Sequence, residues 1–298
     1  MPAESKTGAA IEVRGLRKTY GDIEAVAGVD LTVARGEVFA LLGPNGAGKT
    51  TAVEILEGHR QRTSGEVSVL GFDPGKTERA FKESIGIVLQ ETSVEPYLTV
   101  EEAIDLYRGF YPHPRPLHEV LALVGLLEQR ASRVRRLSGG QQRRLDVAVG
   151  LAGDPELLFL DEPTTGFDPA ARREAWGMIR GLKELGKTIL LTTHYMEEAQ
   201  YLADRVAIIK SGRIVAEGSP ASLVATEKAS RVMFREPEDA ERILAGLEGA
   251  TSQNGWVSIE TEQPTALLYA LTSRAQEAGI ELQELTVSKP TLEDLYLR

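Results

Sequence analysis

The chain has 298 residues, of which 42% are hydrophobic and 26% are charged, a composition typical of a globular protein with one large domain and a smaller one. It contains no cysteine, which excludes disulfide bonds, thiolate metal sites and cysteine nucleophiles. The formal net charge of -10 argues against a protein that binds nucleic-acid backbones or docks on anionic lipid through electrostatics.

No uncharged stretch approaches the ~18–20 apolar residues needed to cross a bilayer, and the N-terminus MPAESKTGAA lacks the apolar core of a signal peptide. We therefore expect a cytoplasmic protein without a transmembrane segment. Any role at a membrane would require a protein partner that holds the chain there.

The predicted strands and helices alternate along most of the chain. Residues 11–90 contain five β-rich runs bounded by turn signals, namely IEVRGL, IEAVAGVDLTV, EVFALLG, EVSVLGFD and SIGIVLQ. The segment from Leu98 to about Leu151 has mainly helical periodicity. Two buried strands, LLFLDEP and KTILLTTH, then flank a helix from Pro169 to Leu185. This alternation predicts a mostly parallel sheet with crossover helices.

The last part of the chain has a different pattern. RVAIIKSGRIVAEG predicts a hairpin around Ser211-Gly212. Beyond Gly218 the runs RVMFRE, PEDAERILAGL, GWVSIET, PTALLYALTSRAQEAG, IELQELTV and PTLEDLYLR predict strands and helices in alternation. We therefore expect a small α+β domain whose boundary lies near Pro220.

A glycine-rich loop joins the EVFALLG strand to a helical run. Gly43, Gly48, Lys49 and Thr50 match the pattern G-x-x-x-x-G-K-[ST], in which backbone N–H groups point at a phosphate chain. Lys49 can reach the β- and γ-phosphates, the Thr50 hydroxyl can bind Mg²⁺, and Thr51 can contact a neighbouring phosphate oxygen. The flanking strand and helix disfavour the alternative of a turn without a ligand. We expect a nucleoside triphosphate bound by Gly43, Pro44, Asn45, Gly46, Ala47, Gly48, Lys49, Thr50 and Thr51.

Two acidic residues end the LLFLDEP strand, at the edge where open α/β sheets bind ligands. Asp161 can orient Mg²⁺ through water, and Glu162 can position or deprotonate the water that attacks a phosphate. A solvated sheet edge is the alternative, which the neighbouring phosphate loop disfavours.

The segment LSGGQ, from Leu137 to Gln141, leads into a helical run. Its exposed helix N-terminus offers backbone N–H groups and a hydroxyl to a second anion. The alternative is a turn that caps the helix. The candidate residues are Ser138, Gly139, Gly140 and Gln141. Asp168-Pro169 predicts a further helix start, with Asp168 as the cap.

The phosphate loop, LSGGQ, the Asp161-Glu162 strand, TTGFDP and a histidine after a strand, in this order, resemble the ATP-binding subunit of an ABC transporter. The resemblance covers Ile11 to about Gly218. It implies an α/β P-loop NTPase core over residues 10–219 with a helical subdomain at about 95–152. The α+β domain expected from the pattern of the last runs then covers residues 220–298. It also implies a head-to-tail homodimer in which the LSGGQ of one subunit closes over the ATP and Mg²⁺ held by the other.

Four further residues match positions of this family. Tyr20 resembles the aromatic residue that stacks on adenine, although it can also be an ordinary surface tyrosine. Gln90 resembles the glutamine that contacts Mg²⁺ and reports the nucleotide state to the membrane subunit, or it is a common strand-end glutamine. Asp168 resembles the residue that contacts the opposite phosphate loop, in addition to capping its helix. His194 resembles the switch histidine that reaches the γ-phosphate, so the expected catalytic residues are Glu162, His194 and Lys49.

Other residues of the chain give no sign of altered chemistry. Phe167 stands where the family usually has leucine, a difference that concerns dimer packing and leaves the chemistry intact. His59, His113 and His118 lack the partner spacing of a metal site and are expected at the surface.

The chain has one phosphate loop and one LSGGQ, so it is expected to be half of a nucleotide-binding pair whose pore is encoded elsewhere. LTVSKPTLEDLYLR and LTTHYMEEAQYLADRVAIIKSGRIVAEG resemble the drug and antibiotic export branch of the daunorubicin-resistance type. This resemblance implies an exporter ATPase on the cytoplasmic face of the membrane, held by an integral-membrane permease.

The alternatives are an importer subunit or a soluble ABC-type ATPase that remodels a cytosolic complex. The region after Pro220 is expected to support the dimer or, alternatively, to bind a regulatory ligand.

Overall fold

The computed structural model describes residues 8–88, 94–225, 230–237, 239–245, 247 and 249–289. The chain divides after Pro220 into two compact units. None of the helices within the described ranges is long and apolar enough to span a bilayer.

The first unit contains strands from two sheets and the helices between them. Its strands are β1 (Ala9–Tyr20), β2 (Ile23–Ala34), β3 (Val38–Leu42), β4 (Ser64–Val69), β5 (Ile85–Val88), β6 (Leu157–Asp161), β7 (Thr188–Thr193), β8 (Arg205–Lys210) and β9 (Arg213–Gly218). The helices up to the division are α1 (Lys49–Leu56), α2 (Arg79–Ser84), α3 (Val100–Arg108), α4 (Leu117–Leu123), α5 (Gly139–Leu151), α6 (Pro169–Glu184) and α7 (Met196–Leu202); α8 (Pro220–Ala225) follows across it.

The larger sheet has the strand order β5-β6-β7-β3-β8-β9 and is parallel except for β9. Every residue of β3 and β7 is buried, as expected for parallel strands covered on both faces. The antiparallel β8–β9 hairpin turns at Ser211 and Gly212, both with positive φ. The predicted mostly parallel sheet and the predicted hairpin are therefore confirmed.

A separate antiparallel sheet has the order β2-β1-β4. Buried and exposed residues alternate along much of β1 and β2, which is typical of a sheet with one face on the core. The buried side chains of this sheet and of β3 share one hydrophobic cluster, which includes Ile11, Val29 and Phe39. This packing joins β1, whose last residue is Tyr20, to the strand that precedes the glycine-rich loop.

The predicted helical region contains α3, α4 and α5. Of these, α4 is shorter than its apolar run LHEVLALVGLLEQR, because it ends at Leu123 and Gly125 then adopts a positive φ of 66°. Glycine takes this left-handed conformation without steric cost, so it interrupts a run whose apolar pattern continues.

The second unit contains β10 (Ser230–Arg235), α9 (Ala240–Leu244), β11 (Ala250–Gln253), β12 (Trp256–Thr261), α10 (Pro264–Ala278) and β13 (Thr286–Ser288). Its antiparallel sheet has the order β11-β12-β10-β13. The sequence did not predict β11, since its four residues, ATSQ, lack the alternation of large apolar and polar residues that is typical of a strand. The turn after it, Asn254-Gly255 with two positive φ angles, is a typical hairpin signal. The helix predicted over PTLEDLYLR lies outside the described residues.

Candidate active site

The phosphate loop lies between β3 and α1. At two of its positions, backbone atoms of other strands lie so close that only glycine fits. A Cβ atom on Gly48 would lie 2.3 Å from the carbonyl oxygen of Ala25, and one on Gly43 would lie 2.5 Å from that of Ile209. Gly48 also has a φ of 103°, in the left-handed region. A side chain at either position would therefore displace the loop from the strands behind it.

Lys49, the first residue of α1, folds back over this loop. Its Nζ donates hydrogen bonds to the carbonyl oxygens of Gly43 at 2.6 Å and Pro44 at 3.1 Å. Burial lowers the pKa of Lys49, while the carboxylates of Glu162 and Asp161 favour its charged form. The ammonium group is thus held at the loop, close to two acidic side chains.

A cleft of about 410 Å³ joins the phosphate loop to these acids. The structure brings together most of the predicted loop residues here, whereas Gly43 and Ala47 do not line the cleft and Ala47 is buried. The residues that line it are Ala25, Pro44, Asn45, Gly46, Gly48, Lys49, Thr50, Thr51, Asp161 and Glu162.

The donor chemistry of this cleft suits the expected cation. The Thr50 hydroxyl and the Asp161 carboxylate are hard oxygen ligands, and Mg²⁺ commonly completes its shell with phosphate oxygens and water. The third expected ligand, Gln90, lies outside the described residues. The described ranges contain no group of three or more histidine and acidic residues that could hold a metal alone.

Thr192 fixes both acids, a role that sequence reasoning missed. Asp161 and Thr192 are register partners in the parallel β6–β7 ladder. The buried Thr192 hydroxyl donates to the Asp161 carboxylate and accepts the backbone N–H of Glu162 at 3.1 Å. The same N–H also lies 3.1 Å from the Thr192 carbonyl oxygen. Glu162 has a positive φ of 45°, which is uncommon for a residue other than glycine, and these bonds hold it there.

Glu162 contacts the second predicted catalytic side chain. Nδ1 of His194 lies 3.2 Å from Oε2 of Glu162, and the Thr165 hydroxyl donates to the same oxygen at 3.0 Å. His194 follows directly after β7 and is 38% exposed, whereas the Glu162 side chain is 12% exposed. The imidazole is therefore the more accessible member of a contacting acid–histidine pair.

The LSGGQ segment begins α5 with a capping box. The Ser138 hydroxyl accepts the Gln141 backbone N–H at 3.3 Å, and the Gln141 side-chain oxygen accepts the Ser138 N–H at 2.9 Å. The predicted helix N-terminus is therefore confirmed, with both polar side chains used as caps.

This helix start lines a second cleft, of about 930 Å³. Glu162 lines both this cleft and the one at the phosphate loop. Asp168 and Phe167 line it as well, and Asp168 caps α6 as predicted by accepting the N–H groups of Ala170 and Ala171 at 2.8 and 2.9 Å. These two bonds lower the pKa of Asp168.

Tyr20, at the end of β1, does not line either cleft. It is 39% exposed and lies beside two cations, Lys18 Nζ at 4.9 Å and the Arg60 guanidinium carbon at 5.4 Å from the ring centroid. Nε of Arg60 donates to Glu54 at 2.5 Å. The ring is thus a partly exposed aromatic surface held near the end of α1.

A buried acid, Glu57, caps the C-terminal end of α1. Glu57 is almost fully buried, and burial, followed by the carboxylates of Asp161 and Glu54, raises its pKa to about 8. Its Oε2 lies 3.4 Å from Nδ1 of His59. Sequence reasoning did not single out Glu57, since an acid in a helical run is normally solvated.

Comparisons with known proteins agree with this geometry. Residues 26–165 match the ABC transporter family. The chain is 38% identical to the daunorubicin resistance ATP-binding protein DrrA3 of Streptomyces coeruleorubidus, over 97% of this chain and 95% of that protein. It is also 38% identical to the Nod factor export ATP-binding protein I of Rhizobium sp. (strain N33), over 97% and 96% of the two chains.

The fold is similar to that of a solved dimeric ATP-binding cassette in a post-hydrolysis state, bound to ADP and Pi. The TM-score is 0.63 and the sequence identity 27%, over 70% of this chain and 98% of that cassette. The phosphate loop, LSGGQ and both acids lie within the residues that match the family, and the two relatives match this chain along nearly their whole length. The chain therefore belongs to the ABC transporter family, in which it is an ATP-binding and ATP-hydrolysing subunit.

Proposed function

We propose that two copies of this chain enclose ATP between them and drive export of a small molecule through a separate integral-membrane permease. The observation that carries the proposal is the match, over 97% of this chain, to a daunorubicin resistance ATP-binding protein and to a Nod factor export ATP-binding protein, which extends beyond the ATPase core into the second unit. The names of the two relatives refer to different compounds, one to daunorubicin resistance and the other to Nod factor export. Similar ATPase subunits are thus associated with different compounds. This is expected if the ATPase supplies the energy and the permease selects the compound.

In the proposed reaction, Glu162 acts as the base that positions or deprotonates the attacking water. His194, in contact with Glu162, reaches the γ-phosphate and stabilises the charge of the transferring group. Lys49 exchanges its loop carbonyl partners for phosphate oxygens, and the backbone N–H groups of the loop bind the remaining phosphates. Mg²⁺, held by Thr50, Asp161 and Gln90, would neutralise charge on the phosphates.

The proposed dimer is head-to-tail, so each ATP lies between the phosphate loop of one copy and the LSGGQ of the other. Support comes from the cleft at Ser138, which presents the N-terminus of a long helix to a ligand. Asp168 lines the same cleft and would face the opposite phosphate loop. Tyr20 would stack on adenine. The dimeric state of the solved cassette with ADP and Pi supports this arrangement.

We further propose that the dimer sits on the cytoplasmic side of the membrane through its permease. The net charge of -10 disfavours direct attraction to anionic lipid, so the contact would be made by protein. Gln90 would report the nucleotide state to that permease.

The test uses tagged Glu162→Gln with ATP and Mg²⁺, isolated from detergent-solubilised cells, with partners identified by mass spectrometry. We expect loss of turnover, an ATP-bound dimer in light scattering, and recovery of a multi-span membrane protein. Glu184→Gln, at the exposed end of α6, is the matched control and should keep the wild-type ATPase rate.

Two results would contradict the proposal. Wild-type hydrolysis by Glu162→Gln would reject Glu162 as the base. Recovery of soluble partners alone would instead favour an ATPase that remodels a cytosolic complex.

A further inference from the structure

Tyr195 connects the candidate catalytic histidine to α6. Its ring centroid lies 4.0 Å from that of His194, with 40° between the ring planes. On α6, the guanidinium carbon of Arg172 lies 4.4 Å from the Tyr195 ring centroid. Arg172 is in the first turn of α6, where its backbone N–H donates to the carbonyl oxygen of the cap, Asp168, at 3.0 Å. A continuous series of contacts therefore runs from the start of α6 to the imidazole.

The contact of Arg172 with the ring is supported by its burial. Nε of Arg172 is buried and has no hydrogen-bond partner among the described residues. A guanidinium group over an aromatic face is attracted by the electrons of the ring, and the attraction is stronger at desolvated sites. The contact with Arg172 therefore limits the movement of the Tyr195 ring.

His194 needs such support, because its side chain is partly exposed. Its contact with Glu162, at 3.2 Å, depends on the orientation of the imidazole about its side-chain torsions. The Tyr195 ring occupies space beside that imidazole and limits the rotamers that it can adopt.

We propose that Tyr195 is a positioning residue for ATP hydrolysis: its ring, held by Arg172, keeps the imidazole of His194 against the carboxylate of Glu162. The inference rests on the proposed roles of His194 and Glu162. It also implies that a displacement of the first turn of α6 changes the contact between those two side chains.

The chain offers a matched control farther along the same two segments, which are α6 and α7 with its N-cap Tyr195. Farther along α6 and α7, the Arg180 guanidinium carbon lies 5.3 Å from the ring centroid of Tyr201. Tyr201 also stacks on Trp176, with ring centroids 5.0 Å apart. This second arginine–tyrosine pair joins α6 to α7, whereas Tyr195 caps the start of α7. The Tyr201 ring packs on a tryptophan, and the Tyr195 ring packs on the histidine.

The experiment measures kcat and KM for ATP on the full chain with Mg²⁺. We expect Tyr195→Leu to lower kcat about tenfold while KM changes less than about twofold, because the lost contact orients a group that acts in the transition state. Tyr195→Phe keeps the ring and should restore the rate. Arg172→Gln should lower kcat about threefold, and Arg172→Lys should recover part of the loss. Tyr201→Leu should keep the wild-type kcat.

The outcomes separate this inference from the function on which it rests. If His194→Ala loses activity while Tyr195→Leu hydrolyses ATP at the wild-type rate, the positioning role fails alone. An equal loss of kcat in Tyr195→Leu and Tyr201→Leu would point to general loosening of the helix pair and would also overturn it. Wild-type hydrolysis by His194→Ala would overturn the role of the histidine itself. Circular dichroism verifies that each variant is folded.

Discussion

Thr192 shows how one buried hydroxyl can fix two acidic residues. It donates to Asp161 and accepts from the N–H of Glu162, whose backbone lies in the left-handed region. Thr192 lies on β7, whereas Asp161 ends β6 and Glu162 follows it. The positions of the two acids therefore depend on the register between β6 and β7.

We predict that Thr192→Val lowers the free energy of unfolding by about 1–3 kcal/mol, because it leaves buried polar groups without their partner. The ATPase rate should fall about tenfold or more, since each 1.4 kcal/mol of lost transition-state stabilisation costs a factor of ten. Chemical denaturation and steady-state ATPase assays measure both effects. Thr192→Ser keeps the hydroxyl and should stay near wild type. A fully active Thr192→Val would show that the hydroxyl does not orient the acids.

Glu57 predicts a pH dependence of stability. Its pKa in the folded chain is about 8, compared with an ordinary value of 4.5, so the folded state binds more protons than the unfolded state between these values. Its contribution to stability is therefore complete below pH 4.5 and is lost as the pH rises through about 8.

Glu57→Gln removes this titration. We expect the variant to gain stability relative to wild type as the pH rises from about 5 to 8.5, by up to about 4 kcal/mol at about 1.36 kcal/mol per pKa unit. Urea unfolding followed by circular dichroism at several pH values measures the difference. Glu184→Gln should show no such trend. A constant difference across the range would mean that the Glu57 carboxyl is not protonated in the folded chain.

Two helices of the first unit begin with the same capping device. Thr99 and Glu102 form a capping box on α3, as Ser138 and Gln141 do on α5. Only the second box belongs to the LSGGQ segment. A comparison of the two caps can therefore distinguish the structural role of a capping hydroxyl from its proposed role in ATP hydrolysis.

We predict that Thr99→Ala and Ser138→Ala each lower the free energy of unfolding by about 1 kcal/mol, the usual cost of a lost cap. The ATPase rate should fall about tenfold or more for Ser138→Ala alone, because only this hydroxyl is proposed to face ATP in the dimer. Denaturation and ATPase assays on both variants test this. Equal rates in the two variants would limit Ser138 to capping.

The elements that could be predicted from sequence have strong local signals. The continuous apolar runs of β3 and β7 predict buried parallel strands, and Asp168-Pro169 predicts the start of α6. By contrast, β11 has no apolar pattern, and its pairing with β12 depends on a turn rather than on its own residues.

The residues of the candidate site also differ in whether a local sequence signal identifies them. The phosphate loop, the acids and His194 could be predicted because their residue types and order are distinctive. Thr192 and Tyr195 could not, since their contacts depend on strand register and on the packing of α6, which no local pattern specifies.

At the scale of the whole molecule, the two units have separate hydrophobic clusters. One includes Phe39, Leu41 and Phe159, and the other includes Phe234, Ile259 and Leu271. The phosphate loop, LSGGQ and both acids all lie before the division at Pro220. ATP binding is therefore expected to depend on the first unit, and the second unit is proposed to support the dimer.

We predict that deletion of residues 220–298 weakens ATP-dependent dimerisation of Glu162→Gln and leaves binding of a fluorescent ATP analogue close to that of the full chain. Light scattering with and without ATP measures dimerisation, and fluorescence titration measures binding. Unchanged dimerisation would reject the support role and favour a regulatory role for the second unit.

The distribution of tryptophan gives the molecule a practical property. The chain has two tryptophans, one in each unit. Trp176, buried on α6, donates from Nε1 to Glu198 at 3.1 Å, whereas Trp256, on β12, is only partly buried beside Arg235. Intrinsic fluorescence therefore contains one natural probe for each unit. Replacing either indole leaves a single tryptophan, so the melting of each unit can be followed by tryptophan fluorescence without an attached label.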